Sequence, residues 1–149
     1  MILFLCNGVF FIAMGSKILY WLGVIACGVL IVSCFMEWAY FDIGAEKVEF
    51  TGFYSYQNYY GKPGKFLVGA GAIALLLMLL PKLWAKRVNL FVCALTVGYT
   101  IKSYILYTSC YNAYCPTKEL GIYLMLGSSI VMLVASVFPE LTVKKKIDN

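Results

Sequence analysis

Four stretches of this chain, 18–36, 66–80, 88–101 and 120–138, contain no charged side chain and few polar ones. At a rise of about 1.5 Å per residue each approaches the roughly 30 Å of a hydrocarbon core, once the second is carried to 84 and the third to 108. Such runs restrict the backbone, because in lipid every N–H and C=O must be paired internally, which leaves helices or a closed barrel. None of them alternates with the period of two that a barrel strand requires. The prediction is an all-α integral membrane protein: four transmembrane helices over 18–36, 66–84, 88–108 and 120–138, packed as one antiparallel bundle. Composition agrees, since 62% of the 149 residues are hydrophobic and 13% are charged, too few charges to cover a water-facing surface.

The charges that remain fall between the runs and orient them. Lys17, Lys82, Lys86, Arg87, Lys144, Lys145 and Lys146 belong to one side; Lys47, Lys62, Lys65 and Lys118 belong to the other, offset by Glu37, Asp42, Glu46, Glu49 and Glu119. The more basic side is predicted to be cytoplasmic, which puts both termini inside and the loops 37–65 and 109–119 outside. The net charge of +5 is then mainly a topology signal. The bases form no solvated face with interleaved aromatics, so no nucleic-acid partner is expected. Small size, the lack of an Asn-x-Ser/Thr sequon and a C-terminal KKKIDN whose lysines are misplaced for a retrieval signal indicate a bacterial plasma (inner) membrane.

Residues 1–13 form a further apolar stretch too short to span. It reads either as an interfacial or re-entrant segment broken at Asn7 and Gly8, or as residues ahead of a natural start at Met14, and the second reading is preferred. The tail 139–149 is expected in the cytoplasm.

The first outer loop carries Trp38, Tyr40, Phe41, Phe50, Phe53, Tyr54, Tyr56, Tyr59 and Tyr60. Trp38, Tyr40, Phe41, Tyr59 and Tyr60 suit an interfacial belt, and 47–56 suits a small β-hairpin turning at Thr51–Gly52. A lid over the helix ends is preferred to a ligand platform.

Cys110 and Cys115 lie in the second outer loop, in an oxidising compartment, at a separation that permits a disulfide. In this the chain resembles the four-helix disulfide-generating quinone reductases, which carry a cysteine pair in the same loop. Those enzymes pass electrons on through a second pair in the first outer loop, and residues 37–65 contain no cysteine. The tetraspan tight-junction family places a tryptophan and paired cysteines in that first loop, and the cysteines are again missing. A structural disulfide is therefore expected. The chain has no histidine, so neither a metal site nor a cofactor is predicted.

Lys102 interrupts the third run. About 6 Å from the membrane midplane, a bare ammonium costs at least about 2 kcal/mol. It snorkels to the headgroups, pairs with Glu37 or Glu119, or lines a polar path beside the stripe Thr96, Thr100, Ser103 and Tyr107. Small residues Gly121, Ser128 and Ala135 on the fourth run, and Ala94 and Gly98 on the third, offer close-packing faces to another helix of this chain, to a membrane-protein partner or to a second copy. The expected function is a non-enzymatic accessory or scaffold subunit. A small transporter or channel using Lys102 and the stripe is the alternative, and a thiol-redox enzyme using Cys110 and Cys115 a third.

Overall fold

A computed structural model describes the backbone of residues 2–43, 46–54, 61–110 and 115–138, and the side chains of 17–40, 48–54, 61–110 and 115–138. It is mostly helical: α1 (Ile2–Ser33), α2 (Pro63–Leu79), α3 (Leu83–Thr108) and α4 (Leu120–Val137). Three strands join them, β1 (Glu37–Ile43), β2 (Glu46–Thr51) and β3 (Thr117–Lys118). Two of the helices, α3 and α4, are long and apolar enough to cross a membrane; Lys17–Ser33 and Pro63–Leu79 are shorter apolar helices.

α1 packs on α2 and α4, and α3 packs on α2 and α4. The turn between α2 and α3 is short because Pro81 has no N–H to continue a helix and drives Leu80 into an extended conformation (φ −80°, ψ 122°). This moves the boundary expected at 84: Leu83 and Trp84 open α3 instead of closing α2. At the N-terminus α1 continues without interruption through Asn7, Gly8 and Lys17 and ends at Ser33, whereas the first run was expected to span 18–36.

The two loops expected outside hold more regular structure than a single hairpin. β1 pairs antiparallel with β2 from Ile43↔Glu46 to Glu37↔Thr51, so Thr51–Gly52, expected as the hairpin turn, instead ends β2. β3, between α3 and α4, adds to the other side of β1 through Ala39↔Lys118 and Tyr40↔Thr117, giving the order β2-β1-β3. Two strands from the α1–α2 loop and one from the α3–α4 loop tie the two loops into one cap. Tyr56, Tyr59, Tyr60 and the tail 139–149 lie outside the described residues, as do the side chains of Cys6, Phe41 and Lys47.

Cap and bundle are joined at points where two backbones touch. Gly52 N–H donates to the Cys34 carbonyl at 3.1 Å, and Gly64 N–H donates to the Gly52 carbonyl at 2.6 Å. The end of β2 is thus held between the last turn of α1 and the first turn of α2, and one orphan N–H of α2 is satisfied. A Cβ at Gly52 would lie 2.7 Å from the Cys34 oxygen, one at Gly64 2.7 Å from the Gly52 oxygen, and one at Gly121 would collide with the Glu37 oxygen. Gly61, at φ +72°, makes the left-handed turn that feeds Pro63 into the first position of α2.

Candidate functional site

The side chain that organises the cap is Trp38. The ladder between β1 and β2 slips between Glu37 and Ala39, so Trp38 is the extra residue of a β-bulge. The bulge breaks the in–out alternation of a strand, and both Trp38 and Ala39 are fully buried. Trp38 Nε1–H donates to the Ser33 carbonyl at 2.7 Å, satisfying an orphan acceptor at the end of α1. Its own carbonyl accepts the Glu119 N–H at 3.0 Å, just ahead of α4. Its ring meets Tyr107 of α3 edge to face at 5.4 Å, and Phe50 of β2 meets the same tyrosine at 6.1 Å. One residue therefore contacts the ends of α1, α3 and α4. Sequence reasoning placed Trp38 in an interfacial belt; a spacing of one residue in a bulge carries no sequence signature, so the inward turn was not legible.

Below Trp38 the face of α3 turned to the other helices is polar or small along its length: Ala85, Asn89, Cys93, Thr96, Thr100, Ser103 and Tyr107 are buried. Each hydroxyl with a described hydrogen bond is satisfied close by. Thr96 Oγ1 donates to the Val92 carbonyl at 2.8 Å and Thr100 Oγ1 to the Val97 carbonyl at 2.8 Å. On α4, Ser128, Ser129 and Ser136 donate likewise to Met125, Leu126 and Leu133. Thr100 Oγ1 and Ser129 Oγ lie 3.0 Å apart, so one of the two hydroxyls links the helices when it turns its single proton from its own helix's carbonyl to the other oxygen. At the α2–α3 turn end, a cleft of ≈30 Å³ between Tyr20, Met78, Lys86, Asn89 and Ser136 has room for a water or two.

Lys102 does not join this seam. It is exposed on the opposite side of α3, in a groove with Gly98, Ile101, Ile105, Leu106 and Ser109. Among the described residues no ion pair links it to Glu37, which is exposed, or to Glu119, which is half-buried. Ala94 and Gly98 are exposed on that outer side too, and a Cβ at Gly98 would meet no atom within 4 Å, so neither packs against a helix of this chain. Gly121, Ser128 and Ala135 of α4 are buried, and Ala135 Cβ would lie 2.7 Å from a Cβ on Gly23 of α1. The small residues of the third and fourth runs thus face different surroundings.

The sulfurs of Cys110 and Cys115 are at bonding distance, with their α-carbons 4.2 Å apart. Both residues are exposed, and the buried Pro116 follows them into β3. Cys27, Cys34 and Cys93 are free and buried in the core. Among the described residues no group of three or more His, Cys, Asp or Glu side chains is placed to hold a metal ion. Comparison with known protein families, curated proteins and solved structures finds no match to this chain.

Proposed function

We propose that this chain is a four-span protein of a bacterial plasma membrane, with both termini cytoplasmic, that serves as a non-enzymatic accessory or scaffold subunit presenting a rigid outer cap. The observation that carries the reading is the inverted polarity of the bundle. α3 turns Asn89, Thr96, Thr100 and Ser103 inward and leaves Trp84, Phe91, Leu95, Ile101 and Ile105 exposed. α1, α2 and α4 also leave large apolar side chains exposed, among them Ile25 and Val32, Ile73 and Leu76, and Ile130 and Val134. In water this arrangement exposes large apolar side chains around the whole circumference, far more than a soluble monomer carries; in lipid those side chains meet an apolar solvent and the hydroxyls find partners inside.

The ends of the bundle support the orientation. Lys17, Lys82 and Arg87 are exposed at the α2–α3 turn end beside exposed Trp21 and Trp84, the basic and aromatic signature of a cytoplasmic interface. At the cap end Lys118 sits over the Tyr104 ring at 5.7 Å, and Tyr104 faces Tyr123 at 6.3 Å.

The scaffold reading rests on the seam. The hydroxyls of Thr96, Thr100, Ser128, Ser129 and Ser136 bond to their own helices or across one interface, and Lys102 lies on the other side of α3, so the two elements of the transport alternative do not share a path. Reconstituted into liposomes, the purified chain should give no proton or solute flux above protein-free liposomes, and it should co-purify with a membrane partner in mild detergent through its cap. A flux that Lys102→Met abolishes would replace the scaffold with a transporter.

A further inference from the structure

Resting on the membrane reading, we infer that the outer face of α3 is a binding groove for one anionic phospholipid, whose phosphate is held by Lys102. The groove measures ≈430 Å³ and is lined by Gly98, Ile101, Lys102, Ile105, Leu106 and Ser109. Gly98 leaves open space on this side of α3, since a Cβ there would meet no atom within 4 Å. Ile101, Ile105 and Leu106, all exposed, give the groove apolar walls that suit an acyl chain. Ser109 ends the groove at the cap side, its hydroxyl tied to the Ile105 carbonyl at 2.5 Å.

Lys102 selects the occupant. Six residues, about 9 Å of rise, separate it from the end of α3 at Thr108, so its ammonium reaches the outer phosphates by turning its long aliphatic stem along the helix toward the cap end. A cation on a lipid-facing surface needs an anion, and among the described residues this chain supplies none to it. Ala94 and Gly98 stand four apart on the same side, the spacing by which two helices approach closely. A second copy docking there in the same membrane orientation would set two Lys102 ammoniums against each other at one depth, which a low dielectric penalises. A phospholipid with net negative charge satisfies both features at once: tails against the groove, phosphate on the lysine. A choline headgroup already pairs its own phosphate and gains less.

The experiment is native mass spectrometry of the full chain released from mixed micelles containing equal amounts of phosphatidylglycerol and phosphatidylcholine. The wild-type chain should retain phosphatidylglycerol over phosphatidylcholine by about fivefold, the preference one lysine near a membrane surface supplies. Lys102→Met should abolish that preference, Lys102→Arg should keep it, and Gly98→Leu should lower retention of both lipids by filling the groove. Lys65→Met, at an exposed cation on α2, should change nothing. Equal retention of the two lipids by wild type, an undiminished preference in Lys102→Met, displacement of the lipid by inorganic phosphate, or a disulfide-linked dimer through Gly98→Cys would each overturn the assignment. A chain that stays monodisperse in buffer without detergent would instead sink the membrane reading beneath it.

Discussion

The ring of Trp38, on a bulge in β1, meets the ring of Tyr107, near the end of α3, edge to face with 5.4 Å between centroids. That contact joins a sheet built from two inter-helix loops to the helices, beside the backbone hydrogen bonds of Gly52, Gly64 and Glu119.

Trp38→Leu should remove the ring contact and the indole bond to the Ser33 carbonyl together. A loss of about 3 kcal/mol is expected, from the cavity and the unpaired acceptor. Trp38→Phe keeps a ring and forfeits the hydrogen bond, a loss of about 1 kcal/mol. Trp84→Phe, at an exposed position, serves as the control and should be neutral. Thermal unfolding in one detergent, followed by near-ultraviolet circular dichroism, ranks the three; equal effects would remove Trp38 from its central position.

Glycine positions separate cap–bundle junctions from open surface. Gly52→Ala, Gly64→Ala and Gly121→Ala each press a methyl group against a backbone oxygen that cannot swing aside, and each should cost about 1–3 kcal/mol. Gly98→Ala adds its methyl group to open space and should leave stability unchanged or slightly raised. The midpoint of thermal aggregation, measured for the four variants side by side, checks the order.

Thr100 and Ser129 form a hydrogen bond between helices at 3.0 Å. A double-mutant cycle with Thr100→Val and Ser129→Ala should give a coupling of about 0.6 kcal/mol, the usual size for such a pair within a membrane bundle. A coupling near zero would show that each hydroxyl is fully served by its own helix.

Alkylation of the unreduced, denatured chain should modify Cys27, Cys34 and Cys93 and spare Cys110 and Cys115, which mass spectrometry of the peptides reads directly. Replacing Cys110 and Cys115 by serine opens a loop of sequence separation 5 and should cost about 2 kcal/mol on loop entropy alone. Labelling of both in the unreduced chain would show that no bond forms.

That four helices form was legible from the apolar runs; their ends were less so, since α1 passes through Lys17 and stops at Ser33 and α3 opens at Leu83. α4 begins at Leu120 and ends at Val137, within a residue of the apolar run that announced it. The seam of Thr96, Thr100, Ser103 and Tyr107 was readable from its spacing, since residues three and four apart share one helical face. The side to which Lys102 and Gly98 point was not, because a small residue suits a buried contact and an open groove equally well. The sheet was half-legible. A hairpin followed from aromatic and β-branched content, but the pairing of β3 with β1 depends on two short segments far apart in the chain, and two residues carry no pattern of their own. The bulge at Trp38, which decides where the largest cap side chain goes, is a matter of tertiary fit.

The most direct test of the central claim is the side from which the two ends of α2 are reached. An impermeant maleimide is applied to intact cells and to inverted membrane vesicles bearing Lys62→Cys or Lys82→Cys, both at exposed positions flanking α2, with the labelling of the parent chain subtracted. Labelling of Lys62→Cys only in cells and of Lys82→Cys only in vesicles is the predicted result. Labelling of both from the same side would contradict the four-span arrangement.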